Sequence, residues 1–274
     1  MFWAAGLVSA RHAIAIGLTP MDITFHRFVW AGLAFLPALI RSGGEDLNQV
    51  GWARSVVLTA FGGPLLAYLS YSGFLLVPLG HGGVIQPSSA ALGGLVLSTL
   101  VLKDRLLPTR AIGGVIIVLG LCVIGYEALA TIGKHGLLGD LIFMTAGIMF
   151  AIFGMLLKLW RIAPTRAVVV ISVLSLVIIP LHSALFGFDG MLAAGLYENL
   201  VLAAVQGVFA GALSTFLFAR SVVLLGAARA AVFPSLVPPF TLLIGFLVLG
   251  EMPSVVQLLG LVLVVVGFRL TQKA

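Results

Sequence analysis

Charge is scarce in this chain of 274 residues: Asp, Glu, Lys and Arg together make up 9% of it, and only nine are acids. Cysteine is rarer still. A lone Cys122 excludes an internal disulfide and any metal centre built from several thiolates. Enzyme signatures are missing as well. There is no Gly-x-x-x-x-Gly-Lys-Ser/Thr loop for a nucleotide phosphate, no His-Glu-x-x-His pair for zinc and no Gly-x-Ser-x-Gly elbow. No cofactor, metal or catalytic residue is expected. The acids (Asp22, Glu45, Asp46, Asp104, Glu127, Asp140, Asp189, Glu198, Glu251) fall at the ends of apolar runs or between them, so no carboxylate is expected at membrane depth.

What the chain has is apolar surface. At 61% hydrophobic residues and a mean hydropathy of +1.21, its long runs must face lipid. Ten spans are predicted, at 2–16, 22–40, 53–77, 80–102, 109–126, 139–159, 164–186, 199–225, 226–250 and 253–271. The net charge of +6 would suggest nucleic acid in a soluble protein. Here the basic residues lie at span ends, so no nucleic-acid partner is expected. With a cytoplasmic N-terminus, twelve Lys and Arg fall inside, and only Arg11, Arg27 and Lys134 fall outside. That bias places both termini in the cytoplasm.

The chain also repeats itself. A shift of 147 carries Pro234-Ser235 onto Pro87-Ser88, Glu251 onto Asp104, and Gly260 and Gly267 onto Gly113 and Gly120. Residues 1–127 and 139–274 read as two five-span repeats joined by a loop at 128–138. Five spans per repeat forces the two copies to enter the membrane from opposite sides. Gly154 follows Asp140 by 14 residues, whereas its counterpart Gly6 has five before it. A first helix missing its beginning is therefore expected, with a true half-span as the alternative.

Several polar and aromatic residues lie within the spans. Arg27 either snorkels to the outer interface or faces a cavity that attracts anions. His26 and Trp30 share a helical face at i, i+4, with Asp22 one turn from His26. Tyr68 and Tyr71, three apart, form either a pocket wall or a helix contact. Gln86 and Ser89 lie in the fourth span and Gln206 in the eighth, while Phe216 and Phe233 could stack on a ring. Pro87, Pro234, Pro238 and Pro239 are candidate hinges, because an interior proline removes a helix hydrogen bond. Gly113, Gly120, Gly260 and Gly267 leave room for close helix approach.

Two five-span repeats with a Pro…Leu-x-Leu-Gly-Glu…Gly…Gly pattern, strongest from Pro234 to Gly267, resemble the EamA family of the drug/metabolite transporter superfamily. Arg27-Phe28 followed by Ala31 is similar to that family's second span. Lys103-Asp104-Arg105 departs from the family's Gly-Glu. Within the family the chain resembles the YddG-type exporters of aromatic amino acids. The resemblance implies ten helices around a central cavity, with the fifth and tenth peripheral. It also implies an inner-membrane exporter of aromatic or hydrophobic amino acids, or similar small metabolites, working by alternating access. Such a carrier acts as a monomer, or as a homodimer through the fifth and tenth helices. A sugar-phosphate or nucleotide-sugar antiporter, a channel and a membrane-embedded enzyme are the alternatives. With no buried acid to carry a proton, facilitated diffusion is the expected mode.

Overall fold

Hydrocarbon supplies no hydrogen-bond partners, so a lipid-facing chain must satisfy its backbone internally. The computed structural model describes residues 1–101, 103, 107–131, 133–225 and 236–271, and their regular structure is helical throughout. In order these are α1 (Phe2–Ala15), α2 (Pro20–Arg41), α3 (Glu45–Val50), α4 (Trp52–Gly62), α5 (Pro64–Gly73), α6 (Leu79–Leu100) and α7 (Pro108–Thr131). There follow α8 (Lys134–Leu159), α9 (Pro164–Leu174), α10 (Ile178–Leu185), α11 (Asp189–Leu202), α12 (Ser214–Leu225), α13 (Val237–Leu249) and α14 (Val255–Thr271). A 3₁₀ turn, Ser175–Val177, joins α9 to α10, and a π-helical stretch, Ala203–Leu213, joins α11 to α12. Among the described residues six helical stretches are long and apolar enough to cross a membrane: Pro20–Arg41, Trp52–Gly73, Leu79–Leu100, His135–Leu159, Pro164–Leu185 and Asp189–Ser221. The chain is an all-α, multi-pass membrane protein.

The departures from straight helices are local and have causes. Where one helix over 53–77 is predicted, the chain breaks at Gly63 and restarts with Pro64 in the first turn of α5. A Cβ at Gly63 would lie 2.3 Å from the Thr59 carbonyl and 3.1 Å from Ser175 Oγ, so only glycine admits that approach. The helix predicted from 199 already begins at Asp189, but it kinks at Gly195, whose φ of +83° suits glycine. Pro238 and Pro239, expected to break the ninth span, occupy the first turn of α13, where proline's missing N–H costs nothing, and residues 226–235 before it lie outside the described residues. Pro87 stands inside α6, which continues through it. Pro234 and Phe233 lie outside the described residues.

The glycine stripes of the fifth and tenth predicted spans meet each other. A Cβ at Gly113 would come within 2.7 Å of the Gly267 carbonyl, and one at Gly120 within 2.9 Å of the Gly260 carbonyl. α7 and α14 thus cross backbone to backbone, antiparallel, and these glycine faces are used within one chain rather than left for a second copy. Gly207 and Gly211 play the same part between α2 and the π stretch: Cβ atoms there would meet Trp30 Cβ at 2.4 Å and the Arg27 carbonyl at 3.0 Å. Gly120→Val should therefore lower the unfolding temperature in detergent through overpacking of about 1–3 kcal/mol. Gly94→Ala, where a Cβ meets nothing within 4 Å, should not lower it. Equal losses at both positions would contradict the contact.

Candidate functional site

α2 begins with a reciprocal cap. Thr19 Oγ1 accepts from the Asp22 N–H at 3.2 Å, and Asp22 Oδ2 accepts from the Thr19 N–H at 2.9 Å. The cap fixes the phase of the helix, and two turns further on Arg27 faces the bundle interior, about 10 Å along the axis from Pro20 at 1.5 Å per residue. Its Nη1 lies 3.5 Å from Tyr71 Oη, at the limit of hydrogen bonding. Arg27 therefore turns inward rather than snorkelling. Tyr71 Oη donates to Gln206 Oε1 at 2.9 Å, and Gln206 Nε2 donates to the Gly6 carbonyl at 2.6 Å and to Ser9 Oγ at 3.1 Å. Tyr71 and Gln206 are buried, at 3% and 0% exposure. α1, α2, α5 and the π stretch thus share one polar cluster. Among the described residues no carboxylate pairs with Arg27.

The other predicted site residues divide. His26 joins the edge of the cluster: its Nδ1 accepts from Trp30 Nε1 at 3.2 Å and its Nε2 meets Asn199 Oδ1 at 3.0 Å. Gln86 Nε2 donates to Ser70 Oγ at 2.9 Å, next in sequence to Tyr71, and Gln86 Oε1 is buried without a partner among the described residues. Tyr68, paired with Tyr71 on sequence spacing, leaves it. It lines a groove of about 710 Å³ on the flank of the bundle with Met21, Leu65, Leu174 and Ile178. Ser89 packs at the contact of α6 with Gly147 of α8, and Phe216 sits on the periphery near Phe35. A second hollow, of about 350 Å³, lies beside Arg11, Leu79, Glu251 and Gln257. Neither hollow is lined by Arg27, Tyr71 or Gln206.

The expectation of no buried carboxylate is wrong. Asp22 and Asp140 are 4% and 3% exposed. Asp22 Oδ1 lies 2.8 Å from His182 Nε2, and Asp140 Oδ1 lies 3.0 Å from His81 Nδ1. Asp22 stands in the first turn of α2, as the sequence indicates, whereas α8 begins at Lys134 and carries Asp140 nearly two turns inside it. Asp22 also serves its own cap and His182 rather than His26. Around them, at the end where α1 and α5 finish and α2 and α6 begin, a polar layer forms. Arg11 Nε meets Glu251 Oε1 at 2.8 Å, the Leu79 N–H donates to Glu251 Oε2 at 3.0 Å, and His12 Nε2 meets Glu198 Oε2 at 3.2 Å. Each of these links joins a residue before 127 to one after 139. At the opposite end, among the described residues, Arg166 Nε meets Asp46 Oδ1 at 3.1 Å, and Arg54 stacks 5.6 Å from the Trp160 ring centre.

Gln206, Ser9, Asn199 and His182 complete this arrangement; the sequence singles out Gln206 only as a polar residue of the eighth span, and Ser9 and Asn199 not at all. For Gln206 there is a signal: it is the one polar side chain in Ala203–Leu213, and π-helical stretches gather at functional sites. Tyr71→Phe should cost about 1–3 kcal/mol in detergent unfolding by leaving Gln206 Oε1 buried and unsatisfied. Tyr68→Phe should stay within about 0.5 kcal/mol. Equal costs would contradict the division between the two tyrosines.

Comparison with known proteins gives consistent matches. The EamA-like transporter family matches residues 1–126 and again 137–271. The uncharacterized transporter YyaM of Bacillus subtilis (strain 168) is 25% identical over 181 residues, 63% of this chain, and the chain spans 57% of that relative's length. One solved crystal structure of a protein matches 98% of this chain and 94% of its own, with a TM-score of 0.66 at 18% identity, a likeness of fold alone.

Proposed function

The chain belongs to the EamA-like transporter family, and on that premise we propose that it exports amino acids with aromatic or hydrophobic side chains across a bacterial inner membrane by alternating access. The observation that carries this reading is Arg27. A guanidinium inside a span is expensive without a counter-ion, and among the described residues no acid supplies one. A solute carboxylate fits that need, with Tyr71 and Gln86 as neighbouring hydrogen-bond partners. Sugar phosphates and nucleotide sugars carry more negative charge and call for several cations. Arg27 is the only Lys or Arg in the polar cluster among the described residues.

The architecture proposed is ten spans in two inverted repeats, 1–127 and 139–274, with both termini cytoplasmic. Two matches to one family, separated by a short gap, favour a duplication. So does the crossing of α7 and α14. The shift of 147 carries Gly113 to Gly260 and Gly120 to Gly267, and it turns the contact Gly113–Gly267 into the contact Gly260–Gly120. A contact that maps onto itself in this way, between antiparallel helices, is what an in-plane two-fold axis produces. The polar layer then lies at the outer end and the Asp46–Arg166 pair at the inner one. The layer's links between the repeats fit a carrier held closed to the outside. Uncoupled diffusion loses its ground once Asp22 and Asp140 are buried. The homodimer through the fifth and tenth helices loses its glycine faces to the intramolecular crossing, so a monomer is the simpler unit.

In liposomes, full-length protein should exchange labelled phenylalanine, tryptophan or leucine against the unlabelled compound and leave glucose 6-phosphate untouched. Arg27→Gln should reduce the exchange about tenfold or more, since a lost charge-assisted contact is worth about 1.5–3 kcal/mol. Exchange of the sugar phosphate with no amino acid exchange would overturn the reading. Orientation is checked on a Cys122→Ser background. An impermeant thiol reagent outside intact cells should label Asp189→Cys and spare Glu45→Cys, and the reverse pattern would invert the topology.

A further inference from the structure

His182 is fully buried, and the cluster around Arg27 makes no use of it. Its Nε2 lies 2.8 Å from Asp22 Oδ1, while its Nδ1 is buried with no partner among the described residues. The carboxylate is held in place, because its other oxygen accepts from the Thr19 N–H and from Thr19 Oγ1 at 2.8 Å. Three aromatic rings surround the imidazole, with centroids at 4.8 Å (Phe25), 5.1 Å (Phe188) and 6.0 Å (Phe186). A carboxylate on one nitrogen and aromatic faces around the ring are features that hold a cation.

The ionisable neighbours separate this site from His26. On α2, the element packed against α10, Asp22 and His26 are the ionisable groups that face it. His26 is committed to its neutral form. Asn199 Nδ2 donates to the Met191 and Gly195 carbonyls, so its Oδ1 faces His26 and must accept from Nε2–H. Trp30 Nε1 is a donor, so His26 Nδ1 must accept. A second proton on His26 would meet the tryptophan's own N–H. His182 has an open nitrogen and His26 has none. The pair also ties α2 to α10, one in each matched half of the chain, and α2 is the helix that carries Arg27.

We propose that His182 and Asp22 form a proton-binding site that couples export to proton entry. At the outer end the open Nδ1 takes one proton from the external solvent, and Asp22 stays ionised. The hydrogen bond from a neutral imidazole to the carboxylate becomes an imidazolium–carboxylate pair, which draws α2 and α10 together and closes that end. After the carrier opens inward the proton is released to the inside and substrate binds near Arg27. With the imidazole neutral again the outer end reopens. One proton enters for each substrate that leaves.

The inference rests on the transport reading, and the test separates the two. Full-length protein is placed in phosphatidylethanolamine–phosphatidylglycerol vesicles containing a pH-sensitive dye. Labelled phenylalanine exchange at equal pH is measured first. A phenylalanine gradient is then expected to move protons the opposite way, and His182→Gln should reduce that proton movement to the level of empty vesicles while keeping exchange. Exchange without proton movement in the unaltered protein overturns the coupling and leaves the transport reading intact. Absence of exchange counts against the transport reading, and the site is then judged by nitrogen-15 NMR of labelled histidine in nanodiscs. One histidine, missing from the His182→Gln spectrum, should carry protons on both ring nitrogens at about pH 5 and on one at about pH 8. Its signals should move in Asp22→Asn. A His182 that stays neutral over that range overturns the site.

Discussion

In hydrocarbon a polar group finds only the partners that the protein brings to it. That constraint orders the bundle. Arg27, Tyr71, Gln206, Asp22 and Asp140 each need a partner from a different helix, and the helices are arranged so that each finds one or is left waiting for a solute. The partners come from opposite halves of the chain: Tyr71 with Gln206, Asp22 with His182, His81 with Asp140, Arg11 with Glu251. Apolar packing differs, since lipid tails compete with side chains on nearly equal terms, and close approach at small residues makes the difference.

Those two kinds of contact divide the labour. Gly113, Gly120, Gly260 and Gly267 hold α7 against α14 with nothing in between that could rearrange cheaply. The polar layer is built otherwise. Its links are single hydrogen bonds and ion pairs, and hydration can replace each of them when an end opens. The helix irregularities lie in other helices. Gly63 with Pro64, the 3₁₀ turn at Ser175–Val177 and the π stretch at Ala203–Leu213 interrupt three different stretches of helix. Such interruptions free backbone groups and permit bending.

Much of this was legible in the sequence. Hydropathy and proline positions give helix bounds that the structure moves by a few residues in most cases, and the glycine spacing marked α7 and α14 as helices of close approach without pairing them with each other. Arg27 and Tyr71 could be named because an arginine or a tyrosine at mid-span is uncommon. Spacing alone did not separate the tyrosines: Tyr68 and Tyr71 lie in one regular helix, α5, but residues three apart still differ by about 60° around the axis, and one turns to the flank and the other to the cluster. Asp22 and Asp140 were misread for another reason. Both stand at the ends of apolar runs in the sequence, and the end of a run was equated with the membrane surface. Whether such an end is covered depends on which helices surround it, and one chain read by itself does not reveal that. His182 and Asp22 are 160 residues apart in sequence, and no local pattern joins them.

The central claim is that contacts between the two halves close the outer end and must open for transport. Arg11→Cys with Glu251→Cys on a Cys122→Ser background, joined by a short cleavable thiol cross-linker, tests it most directly. The account predicts that cross-linked protein in liposomes stops exchanging substrate and recovers when the linker is cleaved, while each single variant treated alike keeps its exchange. Unchanged exchange in the cross-linked double variant would contradict it.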